Sequence, residues 1–458
     1  MTQNRNFSAR ANSMRLILSV MLCCSAVATT PAWSLDLMEA YSAAMAEDAS
    51  IQAARAATDA RRERLPQARA QLLPNLSLNA SRNRNSLEST TADFRGNPIT
   101  SDVRYGSSGE ALVLRQPLFR KLLTADYRQA KAQVDDANAI LERETQNVAV
   151  RVSGAYFETL LTAERLALVL AQKTTFTTQF DAARKRFASG TGTRTDIDEA
   201  QAAMDLNVAD ELEARQNVIF TQRQLQTLIN RPVDNIATLD PSKLVLTDPT
   251  PALIEDWIHL AESNSPEIQS LKAQVEVSRY EIEKAQAGHY PTLDAVAQLS
   301  RTDSDTVTTV KNRYTNKSIG LQLNVPIFAG GYVNSQIRQA LADQERANAA
   351  LEATRRDLSV RLHREFRGIT EGKLRIRALE QAVRSTEQVA LSTRRSFEAG
   401  SRTLVDTLNS EQQRVAAQRD LAQARFNYLI SRVRLNALAG GPKTVVIEEV
   451  NTWLKTKP

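Results

Sequence analysis

Cysteine is nearly missing from this chain, and the 2 residues present, Cys23 and Cys24, stand side by side near its start. If that first segment is removed, no disulfide, thiol chemistry or cysteine metal site is available to the rest. Histidine is as sparse. His259, His289 and His363 lie far apart, without metal-ligand spacing, and read as surface or packing residues. Aromatic residues make up only 5% and there are 15 glycines. No Gly-rich phosphate loop, nucleophile elbow or paired catalytic carboxylate pattern appears, so the expectation is no enzyme, no cofactor and no metal. After the first segment no stretch of eighteen consecutive apolar residues occurs, so no membrane-spanning helix is expected.

What is present begins with a leader. Arg5, Arg10 and Arg15 precede an apolar run at 16–28, and Ala32-Trp33-Ser34 places small residues where a signal peptidase reads. Residues 1–34 are therefore expected to be a secretory signal peptide, too short in its apolar run to anchor. Val20, Met21 and Leu22 before Cys23 lack the small residue a lipoprotein signal needs. Without this segment the charge is 55 basic against 52 acidic residues, or +3, dispersed along the chain. Nothing resembles a nucleic-acid footprint.

The rest is rich in Ala, Gln, Arg, Leu and Glu, the composition of long helices. Residues 36–73 read as helix, kinked or split by Pro66 and ended by Pro74. Alternation begins at Leu76, Leu78 and Ala80, followed by a solvated loop over 85–108 and a short strand over 109–116, closed by Pro117. Residues 119–189 then form one run whose only internal Gly or Pro is Gly154, about 105 Å of helix at 1.5 Å per residue. A return helix is expected over 195–230. The order then recurs: helix 252–288, Pro291, strand 292–300, polar loop 301–315, strand 317–325, Pro326, long helix 332–398 and a return helix to 440. Residues 231–251 form a connector and 441–458 a short tail.

The halves, 35–230 and 252–440, align directly. Ile51-Gln52 matches Ile268-Gln269 and Pro74 matches Pro291, both 217 apart; from Arg128 onward the offset is a constant 210. A hundred residues without an insertion implies that helix length itself is constrained. The alignment centres on two matched stretches, FASGTGTRTDIDE from Phe187 and FEAGSRTLVDTLN from Phe397. Gly190 and Gly400 suit a helix stop and the Ser/Thr-rich residues after them suit a restart. Each stretch reads as the tip of a long helical hairpin.

In the later strands Ile319, Leu321, Leu323 and Val325 alternate with Ser318, Gly320, Gln322 and Asn324. That period suits a transmembrane barrel, and equally an ordinary sheet with one face on a core. Four strands cannot close a membrane barrel, because the smallest use about eight. If these strands enter lipid, several chains must share one barrel.

LMEAY at 37–41, LLPNL at 72–76, VPIFAGG at 325–331, AGSRTLVDTL at 399–408 and ARFNYLISRVRLNALAG at 424–440 resemble the TolC family of outer-membrane channels. The resemblance runs from Leu37 to Gly440. It implies a mainly α chain with a small membrane β-barrel: an all-α tunnel of long coiled-coil helices, plus four strands per chain in a trimeric twelve-stranded barrel. The tunnel would cross the periplasm and close at its tips. The implied partners are two further copies in a homotrimer, outer-membrane lipid, a periplasmic adaptor (membrane fusion protein) and an inner-membrane transporter, for export of drugs or proteins.

The resemblance also places gate residues. Asp196 of the first tip and Arg402 of the second correspond to a pair that bonds across neighbouring helices. The family's tip tyrosine is Phe397 here, which removes a hydroxyl hydrogen bond. Two inward aspartate rings fall on Asp406 and on Asn409, so the second ring has lost its charge. Asp196 and Asp406 read as well as helix caps, and the two roles are compatible. Pro74, Pro117, Pro291 and Pro326 mark strand–helix junctions. A rival reading is a periplasmic coiled-coil adaptor without a pore, which would ordinarily carry one hairpin, a β-rich module and a membrane anchor.

Overall fold

In a computed structural model the described residues are 34–233, 235–304 and 312–455. The expected signal peptide lies outside them except for Ser34, as does the centre of the 301–315 loop.

Three short helices open the chain: α1 (Leu37–Glu47), α2 (Ala49–Arg62) and α3 (Arg64–Ala70). The break near Pro66 falls at Glu63, since a proline ring clashes with the carbonyl four residues back. A second break, unforeseen, comes at Asp48, whose carboxylate accepts from the Ser50 N–H at 2.7 Å and caps α2. Strands β1 (Asn75–Ala92) and β2 (Pro98–Phe119) follow, then the 68-residue helix α4 (Lys121–Ala188) and its return α5 (Arg194–Ile229). After a two-residue strand β3 (Thr238–Leu239) the pattern repeats. Helices α6 (Ile254–Asn264) and α7 (Pro266–Gln286) lead to β4 (Thr292–Ser304) and β5 (Asn312–Asn324). The 67-residue α8 (Tyr332–Glu398), the return helix α9 (Leu404–Leu438), α10 (Lys443–Asn451) and β6 (Leu454–Lys455) complete the chain. The single helix expected over 252–288 is divided at Ser265, because Pro266 starts α7 as a first-turn proline.

The solvated loop expected over 85–108 is instead strand. β1 and β2 pair without interruption from Asn75↔Arg115 to Ala92↔Pro98, leaving only 93–97 as the turn. Serine, threonine and asparagine occupy both faces there, so hydrophobic alternation vanishes while the backbone ladder continues. Cross-strand polar contacts such as Thr90–Thr100 at 2.9 Å support it, and Asp93 closes the turn by accepting from the Arg95 and Asn97 N–H groups. Likewise β4 and β5 run into the loop expected over 301–315.

The sheet order is β1-β2-β4-β5, all antiparallel, with β1 and β5 at open edges. Helices leave one end of it as a layer. Nearer the sheet the neighbours run α2/α3–α4–α7–α8; farther away they run α5–α4–α9–α8. The two long helices pass through both halves. Between them sits the main core, where Tyr156, Leu161, Leu225, Ile268, Leu362 and Tyr428 are fully buried. Residues 443–455 are no loose tail: α10 buries Ile447 and Val450 in this core, and β6 pairs with β3 of the connector. The Tyr156 hydroxyl lies 3.0 Å from the carbonyls of both Leu35 and Ala237, binding the start of the chain and the connector to α4. Burial pushes its phenol above the usual range.

Candidate functional site: helix tips and barrel wall

Both tips end in the same way. The Gly190 N–H donates to Phe187 O at 3.0 Å and the Thr191 N–H to Arg186 O at 2.9 Å; Gly400 to Phe397 and Ser401 to Ser396 repeat this pattern. These are Schellman closures, and they need the left-handed φ of +76° at Gly190 and +79° at Gly400. Three residues later each chain segment restarts through a capping box. Thr193 and Asp196 exchange hydrogen bonds at 3.1 Å. Thr403 and Asp406 do the same at 3.0 and 3.2 Å. The Thr403 N–H and hydroxyl, with Arg402 nearby, hold the Asp406 carboxyl below the usual range.

Within one chain Asp196 and Arg402 are not brought together. Among the described residues Arg402 pairs with Asp406, at 3.9 Å and largely in solvent, while Asp196 engages its own cap. Asn409 is exposed one turn into α9. Phe397 is half-buried, and the Arg186 guanidinium lies 4.3 Å from its ring centroid. That cation–π contact joins the first tip to the second, where the family's tyrosine would offer a hydroxyl. Arg186 has no counterpart at Ser396, so the repeat itself carried no signal for it. Beneath, Phe176 and Ala183 of α4, Ala200 and Ala203 of α5, and Leu404 and Leu408 of α9 form a small apolar cluster apart from the main core. The hairpins are thus locked together at their ends.

At the sheet, Leu76↔Leu114↔Ala297↔Ile319 and Leu78↔Leu112↔Leu299↔Lys317 form consecutive cross-strand rows on one face. Ile319 is 88% exposed and Leu321 70%. An apolar, solvent-bare face of this kind is what a lipid-facing wall needs and what a water-facing sheet avoids. The opposite face carries Ser77, Asn79, Gln298 and Ser318. Where it meets the helices, Asp294 is buried and accepts from Arg115 Nε at 2.9 Å and from Arg120 Nε at 2.8 Å. This cluster was invisible in the sequence, since its members lie far apart along the chain. Pro74 precedes β1, Pro291 precedes β4 and Pro326 follows β5; Pro117 sits at an irregularity in β2 two residues before its end. Among the described residues no group of three or more His, Cys, Asp or Glu is placed to hold a metal, and no helix is long and apolar enough to cross a membrane.

The model of the outer membrane efflux protein family matches residues 40–231 and 257–441. The chain belongs to that family. It is 33% identical over 411 residues to the alkaline protease secretion protein AprF of Pseudomonas aeruginosa, covering 89% of this chain and 85% of that one. It is 27% identical over 419 residues to the outer membrane protein TolC of Escherichia coli, covering 88% and 82%. The fold matches the crystal structure of the outer membrane protein VceC of Vibrio cholerae with a TM-score of 0.74 at 19% identity, over 88% of this chain and 96% of that one. This efflux family member is an outer-membrane channel protein whose long helices extend into the periplasm. The adaptor reading gives way to the two-part family match and to the lipid-type wall.

Proposed function

We propose that three copies of this chain close into one export conduit, moving cargo through it without chemistry of its own. The observation that carries this is a pair of open edges. The sheet ends in unpaired β1 and β5, which lipid does not tolerate. The helix layer ends in α5, with Leu206, Leu212, Ile219 and Phe220 exposed, and in α8, with Val360, Leu374 and Val389 exposed. A ring placing β5 and α8 of one copy against β1 and α5 of the next covers both edges at once. Two copies would give about eight strands, whose interior side chains fill it; three leave a lumen.

The tips are the gate. In the ring, Asp196 of one copy and Arg402 of a neighbour form the latch, and Asp406 from each copy makes a single anionic constriction that Asn409 does not double. A periplasmic adaptor and an inner-membrane transporter engage these tips and pull the latch open. Similarity to an alkaline protease secretion protein favours secreted proteins as cargo. Small-molecule efflux is the second reading, favoured by the family's description.

The test is the oligomeric mass of the detergent-purified chain with planar-bilayer conductance of wild type and Arg402→Ala. Small stable wild-type pores that widen in the variant are expected. Pores that do not change discard the latch, and absent conductance from a folded trimer discards the conduit.

A further inference from the structure

Charge is distributed unevenly across the wall of the sheet. On the face turned from lipid, Ser77, Asn79, Ser81 and Asn83 of β1 and Asn316 and Ser318 of β5 are all uncharged. On the lipid-side face the apolar rows give way to charged residues, basic ones in excess; the acid of the first such row is Glu110, exposed and directly across from Arg301 on the neighbouring strand. Lys317 shares the topmost apolar row with Leu78, Leu112 and Leu299. Arg301, directly beyond Leu299 on that face, and Arg82 and Arg84 on the edge strand β1 continue upward, all exposed. The ion pairs here are Arg313–Asp303 at 2.8 Å and Arg104–Asp102 at 3.7 Å. Among the described residues Lys317, Arg301, Arg82 and Arg84 have no ion-pair partner.

Charges serving the lumen or simple solvation would fall on the inner face or on both. Above the Arg115–Asp294 pair at the base of the inner face, charge among the described strand residues falls only on the side where the membrane lies. From Leu323 to Lys317 is six residues of β5, about 20 Å of apolar wall at ~3.4 Å per residue, close to the ~25 Å band of such barrels. The basic groups therefore stand at headgroup level, in the leaflet away from the helices. A shallow groove of about 540 Å³, lined by Leu76, Leu112, Leu114, Leu299 and Ile319, climbs this wall and ends at Lys317.

We propose that this groove and the basic residues above it bind a phosphorylated, multiply acylated lipid of the outward leaflet. Its acyl chains lie against the leucines and its phosphate is held between Lys317 and Arg301. The two are diagonal neighbours on adjacent strands, about 7–8 Å apart, within reach of one phosphate from both sides. The lysine stem follows the apolar surface while its ammonium reaches the headgroup layer, and the guanidinium fork matches phosphate oxygens. The inference rests on the barrel reading above, which would also bring Arg82 and Arg84 of the next copy towards this patch.

The experiment uses the full chain in nanodiscs of phosphatidylcholine, titrated with fluorescent lipid A, with dephosphorylated lipid A, with phosphatidylglycerol or with inorganic phosphate. Wild type should prefer phosphorylated lipid A. The Lys317→Gln/Arg301→Gln pair should lose about tenfold or more of that affinity, and Lys317→Arg with Arg301→Lys should restore it. Undiminished binding in the Gln pair, no preference for phosphorylated over dephosphorylated lipid A, equal binding of phosphatidylglycerol, or binding of inorganic phosphate as strong as lipid would each overturn the site. Oligomeric mass and conductance, read on the same samples, report separately on the barrel.

Discussion

The cation–π contact between Arg186 and Phe397 offers a measurable handle on the tips. Its 4.3 Å separation places the guanidinium well inside the effective range. Both residues are half-buried, so each contact is worth about 0.5–1 kcal/mol. In the proposed threefold gate, with the copies moving together and each opening breaking this contact in every copy, the total is about 1.5–3 kcal/mol. That is about 10- to 150-fold in the ratio of closed to open states. Arg186→Gln removes the charge and keeps most of the length; Phe397→Leu removes the ring and keeps the apolar contact with the cluster below. Each should raise open-state occupancy in planar-bilayer recordings by about that factor. The double variant should open no further than the stronger single one, because the second substitution removes a contact already lost. Effects that add in the double variant, or an Arg186→Gln channel with wild-type dwell times, would refute the pairing.

Three further outcomes follow from buried and capped groups. Tyr156→Phe strands the carbonyls of Leu35 and Ala237 and should destabilise the mid-tunnel core by about 1–3 kcal/mol in denaturant titration. Asp294→Ala leaves Arg115 and Arg120 unpaired at the base of the sheet and should cost about 2–3 kcal/mol; Asp294→Glu should recover part of it. The lowered Asp406 carboxyl contributes tip stability that is complete above its unfolded value of 3.8 and disappears as pH falls through the lower folded value. Amide exchange at the start of α9 should therefore accelerate below about pH 4, and Asp406→Asn should show no such pH step.

Much of this architecture was readable because punctuation residues recur in both halves. Gly190 and Gly400 stop helices, Pro74 and Pro291 precede strands, and a fixed offset between halves betrays helices of matched length. Helix α8 was placed at its observed ends, Tyr332 and Glu398. What stayed hidden was held by backbone ladders or by contacts distant in sequence. The far half of the β1–β2 ribbon offers serine and asparagine on both faces, so no period distinguishes strand from loop. The break at Asp48 depends on one side-chain cap and that at Ser265 on one proline, Pro266, each within otherwise helical composition. Asp294 with Arg115 and Arg120, Arg186 over Phe397, and the docking of 443–455 each join residues that no local pattern connects. The capping of Asp196 and Asp406 was one of two readings open at the outset, and the boxes are formed in the single chain.

Helices α4 and α8 run from the base of the sheet to the tips without a break, 68 and 67 residues long. Each therefore acts as a drive shaft whose far end is phased by its near end. One inserted residue would turn everything beyond it by about 100° and push it about 1.5 Å along the axis. Phe176 and Ala183 would then swing out of the tip cluster although nothing near the tips had changed. A chain built this way can vary in length along its polar β-ribbons, whose far ends position nothing else. Along its shafts it tolerates only length changes close to whole heptads, matched in both halves.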